Sequence, residues 1–303
     1  MRHSRWLRPL GSLLALALCA APAVAQNPAA QGATPELRTV RLPDVRMRDI
    51  GILTDSASGL YYAVSSAGRN VQAYTSRDLV TWEGPHIIFR TPPALWGDTV
   101  NIRSIWAPEM HRYRGKYYLF LTFDTDKKFP EQWRNWLPRV MRGSQVLVGD
   151  SPLGPFRPFA NRSTLPPDMM TLDGTLWEED GVPYMVFAHE WVQIKDGTVE
   201  MVRLTDDLSD TVGDPTLLFS GSEGPWATRQ RWGSYVTDAP WLYRSRTGKL
   251  LMLWSSFGKG GYMVGIAEST SGKLAGPWVQ QATPLYGEGG GHAMLFRRFD
   301  GQL

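Results

Sequence analysis

Short apolar runs bounded by Gly, Pro, Asp and Asn recur along most of the chain, whereas long stretches with helical periodicity are nearly absent. Runs of this length and punctuation are typical of β-strands. One combination repeats: a polar or acidic residue opens a strand, a tight turn follows, and a strongly apolar strand comes next. It begins at Met47, Trp106, Leu172, Thr237 and Gly290. The pattern predicts an all-β protein built from repeated hairpins.

The spacing of the repeat predicts the architecture. Its signature positions are Asp49, Glu109, Asp173, Asp238 and His292. Successive positions are 60, 64, 65 and 54 residues apart, which suits one four-stranded sheet per repeat. A second repeat follows each of the first four, as SRDLVTW, SPLGPF, TDDLSD and SGKLAGPW. Together the two repeats predict a five-bladed β-propeller whose fifth blade is incomplete at the C-terminus.

The first residues have the pattern of a secretory signal peptide. Three arginines precede an apolar stretch that ends in Ala23-Val24-Ala25, so we expect residues 1–25 to be a leader. A lipoprotein signal at Cys19, the chain's one cysteine, is the alternative, although Leu18 fits it poorly. Residues 26–44 are predicted to form a flexible N-terminal segment and residues 45–303 the propeller domain.

Charge narrows the range of partners. The chain has 32 basic and 29 acidic side chains, and three of the basic ones lie in the predicted leader. The remainder is neutral, which gives no reason to expect a nucleic-acid or membrane partner. We therefore expect a secreted or periplasmic monomer that acts on a small or polymeric solute.

A propeller brings the residues that open its innermost strands together at one axis. The signature positions would then place four carboxyl groups and one imidazole side by side. Such a cluster is costly for folding, because like charges repel and burial disfavours ionisation. Catalysis that needs one protonated carboxylic acid beside ionised carboxylates explains it better.

Five motifs in order make the chain resemble glycoside hydrolase family 43, which contains arabinanases, α-L-arabinofuranosidases and β-xylosidases. They are MRDI, WAPE with GKYYLF, LDGTLW with EDGVPYMV, SEGPW with TDAPWLYR, and GGHAM. The resemblance implies a glycosidase that cleaves arabinose- or xylose-containing plant polysaccharides or oligosaccharides. It also implies inversion of the anomeric carbon by an acid and a base that are both carboxyl groups.

The resemblance assigns the catalytic roles residue by residue. Asp49 matches the general base, although Ile50 stands where the family usually has Pro. Asp173 matches the carboxylate that tunes the pKa of the acid. Two candidates remain for the general acid: Asp238, which has the register of the repeat, and Glu223, which has the family's residue type and its EGP string.

Other residues are expected to bind substrate or metal. Trp106, Glu109, His189 and Glu190 are candidates for the substrate pocket. His292 resembles a family histidine that touches a hydrated calcium ion in the central channel. The alternative for His292 is a hydrogen-bonded channel residue, and no cofactor is otherwise required.

Two other functions fit parts of the pattern. One is a different five-bladed glycosidase, since SRDLVTW also occurs in fructan-cleaving enzymes and resembles a sialidase motif. The other is a carbohydrate-binding propeller without turnover. Trp133 and Trp136, in a long insertion, can form either the wall of a sugar cleft or an ordinary surface loop.

Overall fold

The computed structural model describes residues 35–303. The predicted leader with Cys19, and the first part of the predicted flexible segment, lie outside the described residues. Apart from three short 3-10 turns, the described chain forms one short helix, α1 (Trp191–Ile194), and otherwise strands and loops. No described helix is long and apolar enough to span a bilayer.

Four antiparallel sheets, here called blades 1 to 4, follow one another along the chain. Blade 1 contains β1 (Arg38–Arg41), β2 (Gly51–Asp55), β3 (Leu60–Ala67), β4 (Asn70–Ser76) and β5 (Thr81–Arg90). Blade 2 contains β6 (Ile102–Tyr113), β7 (Lys116–Thr125), β8 (Gly143–Gly149) and β9 (Arg157–Pro158). Blade 3 contains β10 (Thr171–Glu179), β11 (Val182–His189), β12 (Thr198–Leu204) and β13 (Thr211–Ser220). Blade 4 contains β14 (Asp238–Arg244), β15 (Leu250–Gly258), β16 (Gly261–Ser269) and β17 (Trp278–Gln280).

Tight turns join β2 to β3, β6 to β7, β10 to β11 and β14 to β15, as the sequence predicts. In blade 2, Arg114 and Gly115 form a two-residue loop with φ of 44° and 81°. Two consecutive residues with positive φ are the signature of a type I′ turn, whose twist matches that of the strands on either side. These turns place the apolar second strand of each hairpin inside its sheet, and so they determine which residues reach the core.

The core consists of side chains packed between neighbouring blades. On β7, Leu119 and Leu121 pack with residues of blade 1, whereas Phe120 packs with Phe187 of blade 3. Successive side chains of a strand point to opposite faces of its sheet. A fully apolar strand such as β7 therefore holds three blades together, which explains why the second strand of each hairpin is so hydrophobic.

The predicted number of blades is wrong for the described residues. The propeller has four sheets, and residues 290–303 form no strand. They lie against blades 1 and 4: Thr54 Oγ1 donates to the Arg297 carbonyl at 2.6 Å, and Trp241 Nε1 donates to the Leu295 carbonyl at 3.1 Å. Because these groups bond to the adjacent blades and not to a second strand, no fifth sheet forms.

The predicted flexible segment also differs from the structure. Its residues Arg38–Arg41 form β1, which pairs with β5 so that Arg38 lies opposite Gly84. Val40 of this strand packs near Trp82 and Leu79. Backbone pairing and an apolar contact, which polar composition alone did not reveal, make these residues the outer edge of blade 1.

The close packing of blade 4 allows a stability prediction. A Cβ atom at Gly265 would lie 2.0 Å from the Trp226 ring. We expect Gly265→Ala to lower the free energy of unfolding by about 1–3 kcal/mol, because the buried ring must move. Thermal or urea unfolding measures the loss. Gly287→Ala is the control, since its Cβ would be 3.5 Å from Pro284 in ordinary contact; equal effects at both positions would contradict the packing explanation.

Candidate active site

A left-handed residue interrupts the innermost strand of three blades. The pairing register shifts between Trp106 and Glu109 in β6, between Leu172 and Thr175 in β10, and between Asp238 and Trp241 in β14. The residues with positive φ inside these bulges are Ala107, Asp173 and Ala239. Asp49 and His292 adopt the same conformation, with φ of 49° and 56°.

This geometry corrects the predicted register of the repeat. The equivalent positions are Asp49, Ala107, Asp173, Ala239 and His292. Asp238 therefore precedes the equivalent position by one residue, and Glu109 follows it by two. A bulge adds a residue to one strand only, so matching the hairpins by their apolar runs misaligned these two residues. The register argument that favoured Asp238 over Glu223 as the general acid was therefore wrong. The surroundings of Asp238 have to show whether it can serve as an acid.

The innermost strands enclose a cavity of about 710 Å³, here called the axial cavity. Six of the residues predicted to form the site line it: Asp49, Trp106, Asp173, Glu190, Asp238 and His292. Further lining residues that the sequence did not indicate include Arg48, Trp191, Phe257 and Tyr262. The cavity thus gathers three of the four predicted catalytic carboxyl groups.

Asp173 is buried at the centre of this group. Its Oδ2 accepts a hydrogen bond from the Ala239 N–H at 3.0 Å and lies 3.6 Å from His292 Nδ1. Burial raises the pKa of Asp173, while the charge of His292 and the Ala239 N–H oppose that rise. Asp173 therefore accepts a hydrogen bond from blade 4 and lies at ion-pair distance from His292, so it links blades 3 and 4 to the C-terminal segment.

Asp238 is also a buried carboxyl group whose pKa is raised. Burial raises its pKa to about 7, and the nearby charge of Asp173 adds to the increase. The Tyr262 hydroxyl donates to Asp238 Oδ2 at 2.8 Å, which partly opposes the shift. Burial also raises the pKa of Tyr262 itself, so the phenol stays neutral and remains a donor. Asp238 can therefore hold a proton near neutral pH.

Asp49 has a more polar and more solvated environment. Its side chain is 32% exposed, and its Oδ2 lies 3.3 Å from Nε of the exposed Arg48. The axial cavity therefore contains carboxyl groups in opposite environments, which is the arrangement that acid–base chemistry requires.

A largely buried arginine, Arg142, joins blades 2 and 3 beside the axial cavity; its side chain is 13% exposed. Arg142 donates from Nη2 to Asp124 Oδ1 at 2.7 Å and from Nη1 to Glu190 Oε1 at 2.6 Å. Its guanidinium also lies 4.1 Å from the centre of the Trp106 ring. Burial lowers the pKa of Arg142, but the charges of Glu190 and Asp124 outweigh burial and raise it overall. Two lining residues, Trp106 and Glu190, thus depend on one cation.

Three predicted residues lie outside the cavity lining. Glu109 is buried with His111, its Oε2 3.0 Å from the His111 ring. His189 lies between Glu200, 3.1 Å away, and Gln193, 2.9 Å away. Glu223 ends an exposed 3-10 turn, Gly221–Glu223, where its Oε1 accepts the Ser220 N–H at 2.8 Å. The EGP string therefore contributes a capping residue at this position and not a cavity carboxylate.

The hydrated calcium ion predicted beside His292 stays a prediction, and the described residues around His292 supply no set of direct calcium ligands. The Nδ1 of His292 faces the Asp173 carboxylate, and its backbone N–H donates to Ser255 Oγ at 2.9 Å. Across residues 35–303, no three His, Cys, Asp or Glu side chains are arranged to hold a metal. Calcium also prefers a shell of several oxygen ligands. We derive no step of the reaction through a metal.

Comparisons with known proteins show the family of the chain. The family model "Glycosyl hydrolases family 43" matches residues 44–302. An endo-arabinase from Bacteroides thetaiotaomicron is 40% identical, with a TM-score of 0.76, over 86% of this chain and 89% of its own. An α-L-arabinofuranosidase from Lactobacillus brevis shares the fold at 21% identity and a TM-score of 0.66, over 84% of this chain and 81% of its own.

A curated relative matches part of the chain. Alpha-L-arabinofuranosidase B from Pyricularia oryzae is 24% identical over 159 residues, which are 52% of this chain and 30% of that protein. This chain thus matches less than a third of the relative's length. The predicted family resemblance is confirmed by the family match and the 40% identical structure together.

Replacing Arg142 tests its ion pairs with Asp124 and Glu190. We expect Arg142→Met to lower the free energy of unfolding by about 3–5 kcal/mol, because buried Glu190 loses its cation and buried Asp124 keeps only the exposed Arg103, 3.5 Å away. Burial raises the pKa of Glu190, so protonation relieves the loss. The deficit should therefore be smaller at mildly acidic pH than at neutral pH in urea titrations.

Arg38→Met is the matched control for this prediction. Arg38 and Glu36 form a pair whose side chains are 73% and 83% exposed, and exposed pairs contribute little. We expect its loss to change the unfolding free energy by less than about 1 kcal/mol at either pH. A deficit in Arg142→Met that is independent of pH would contradict the electrostatic explanation.

Proposed function

The chain belongs to glycosyl hydrolase family 43, and from that premise we propose that it hydrolyses the glycosidic bonds of arabinose-containing plant polysaccharide with inversion at the anomeric carbon. The observation that supports this best is the convergence of Asp49, Asp173 and Asp238 on one cavity in contrasting environments. The similar endo-arabinase makes arabinan the first substrate to test. Xylan-type substrates and exo action are the alternatives within the same chemistry.

Asp238 is the proposed general acid. At neutral pH its carboxyl group is partly protonated, because burial and the charge of Asp173 raise its pKa to about 7. Tyr262 occupies Oδ2 as a donor, so the proton resides on Oδ1. From there it passes to the leaving oxygen as the glycosidic bond breaks, and the pair of electrons of that bond stays with the oxygen.

Asp49 is the proposed general base. Its side chain is 32% exposed and lies beside Arg48, so the carboxyl group is open to solvent. It would take a proton from a water molecule that attacks the anomeric carbon from the face opposite to the leaving group. The same water supplies the new hydroxyl, so the product has the inverted configuration.

Asp173 is proposed to tune the acid. Its charge is one of the causes that raise the pKa of Asp238, and the Ala239 N–H holds it in place. Because Ala239 is adjacent to Asp238 in the chain, this hydrogen bond also fixes the backbone that carries the acid. Trp106 and Glu190 are proposed to contact sugar at the cavity wall, supported by Arg142.

The proposed reaction uses side-chain proton transfers and water, and it requires no cofactor. A leader-like N-terminus followed by a chain of balanced charge is consistent with a monomer that meets its polysaccharide in the periplasm or outside the cell. These points of location and assembly follow from the sequence pattern alone.

Substitution of the acid and the base separates their roles. We expect Asp49→Asn to lower kcat/KM by about 10²–10⁴-fold on both arabinan and p-nitrophenyl α-L-arabinofuranoside. Asp238→Asn should lose as much on arabinan but far less on the aryl substrate, because p-nitrophenolate leaves without a proton. Steady-state kinetics give both values, and NMR of the first product gives the anomer.

Glu223→Gln is the control for this comparison, since Glu223 caps an exposed turn. We expect its kcat/KM to remain within about twofold of the wild type, as for an ordinary surface substitution. A loss at Glu223 that depends on the leaving group, together with little effect at Asp238, would assign the acid to Glu223. Retention of configuration would exclude the inverting mechanism.

The pH dependence tests the contact between Tyr262 and Asp238. Activity that requires protonated Asp238 should fall as the pH rises through about 7. The Tyr262 hydrogen bond lowers the pKa of Asp238, so Tyr262→Phe should move this alkaline limb to higher pH. The kcat/KM profile measures the shift. A limb that stays in place or moves to lower pH would contradict Asp238 as the titrating acid.

A further inference from the structure

Four tryptophans form a connected cluster beside the axial cavity. Trp136 is at its centre: the centroid of its ring lies 5.5 Å from that of Trp133, 5.9 Å from that of Trp191 and 5.2 Å from that of Trp232. The cluster joins the loop after β7, helix α1 and the 3-10 turn Arg231–Gly233. Segments that are distant in sequence thus contribute to one aromatic surface.

The cluster is continuous with the axial cavity. Trp191 lines the cavity and follows Glu190 directly in the chain. Trp136 packs against Trp191, and its Nε1 donates to the Val192 carbonyl at 2.6 Å, which holds the loop against α1. A chain of sugars that leaves the cavity past Trp191 would therefore reach Trp136 and then Trp232.

Trp232 is the exposed member of the cluster. Trp232 is 41% exposed. Its backbone φ of 66° is unfavourable for a bulky residue. Backbone hydrogen bonds from Gly233 to Gln230 at 3.0 Å and from Gln230 to Ser234 at 2.7 Å hold this turn. An apolar ring in a strained turn that remains exposed is not explained by core packing alone.

The cations around the cluster show which ring can accept a sugar. Arg139 and Lys195 both lie over Trp133, at 4.8 and 5.2 Å from its centroid. Arg231 alone lies over Trp232, at 4.6 Å. Two cations thus lie against the Trp133 ring, whereas Trp232 contacts one and is 41% exposed to solvent.

We propose that Trp232 is a distal stacking residue for the polysaccharide, binding a sugar of the same chain whose cleaved bond lies in the axial cavity. This inference rests on the proposed function. The C–H groups of a sugar ring pack on an indole face and gain contact area at little cost in side-chain entropy. A substrate that ends at the cavity cannot make this contact, so Trp232 favours polymer over short glycosides.

Two variants without the ring test the proposal. Trp232→Ala removes the indole ring. Trp232→Gly also removes the ring, and because glycine tolerates positive φ, we expect this variant to keep the fold of the turn. We expect kcat/KM on soluble arabinan to fall about fivefold through KM in both. Hydrolysis of p-nitrophenyl α-L-arabinofuranoside should change by less than about twofold.

Phe159→Ala is the matched control, because Phe159 is a similarly exposed ring, 38%, which follows β9 and stacks on Tyr118. It should change neither activity. Trp232→Phe should recover most of the affinity for arabinan. Equal losses on polymer and aryl substrate, or unchanged KM on polymer, would overturn the proposal.

Binding without turnover separates this proposal from the proposed function. In native gels that contain soluble arabinan, the wild type should be retarded more than Trp232→Ala and Trp232→Gly, whether or not it hydrolyses the polymer. Retardation that depends on Trp232 in a protein without pentosidase activity would leave the stacking site standing while the enzymatic proposal fails. Retardation equal in all variants would reject the stacking site by itself.

Discussion

The site depends on one backbone constraint, a left-handed residue in or beside each innermost strand and again in the C-terminal segment. Asp49, Ala107, Asp173, Ala239 and His292 share it, and for a residue with a Cβ this conformation costs free energy. Within the three bulges, the extra residue bends the strand and redirects the side chains beside it. Asp173 lies inside the bulge of β10, and Asp238 lies just before the bulge of β14. Both side chains consequently line the axial cavity. Regular antiparallel pairing would have placed alternate residues of these strands between the blades.

The convergence of these carboxyl groups on one cavity determines their electrostatic environment. Asp173 and Asp238 are held within a wall of apolar and aromatic side chains, so burial raises the pKa of both. The charges of Glu190 and Asp173 raise the pKa of Asp238 further. Arg142 counters part of this negative charge by pairing with Glu190 and Asp124. The protonation of Asp238, which belongs to blade 4, therefore also depends on residues of blades 2 and 3.

The sequence predicted much of this arrangement because local patterns report hairpins well. Apolar runs and glycine turns identified the propeller and its first four repeats, and the motifs placed Asp49, Asp173 and Asp238 near one another. The register of Asp238 and Glu109 was missed because a bulge leaves no trace in hydrophobic periodicity. Tyr262 and Arg142 were missed because neither stands in a recognisable motif and both act through contacts with residues far away in the chain.

The predicted number of blades was wrong for a different reason. The fifth repeat resembles the others in sequence, but a strand becomes a sheet only when partner strands are present to satisfy its backbone groups. Residues 290–303 instead use the adjacent blades: Leu295 and Arg297 accept bonds from Trp241 and Thr54, and the Phe299 ring packs 4.5 Å from that of Tyr61.

These contacts have a consequence for the site, because the same segment contains His292. The charge of His292 lowers the pKa of both Asp173 and Asp238. That charge is effective only while the segment lies against blades 1 and 4. The packing of the Phe299 ring on Tyr61, at the outer end of the first hairpin, is thereby coupled to proton affinity at the axis. The C-terminal segment thus contributes to the chemistry of the cavity without forming a blade.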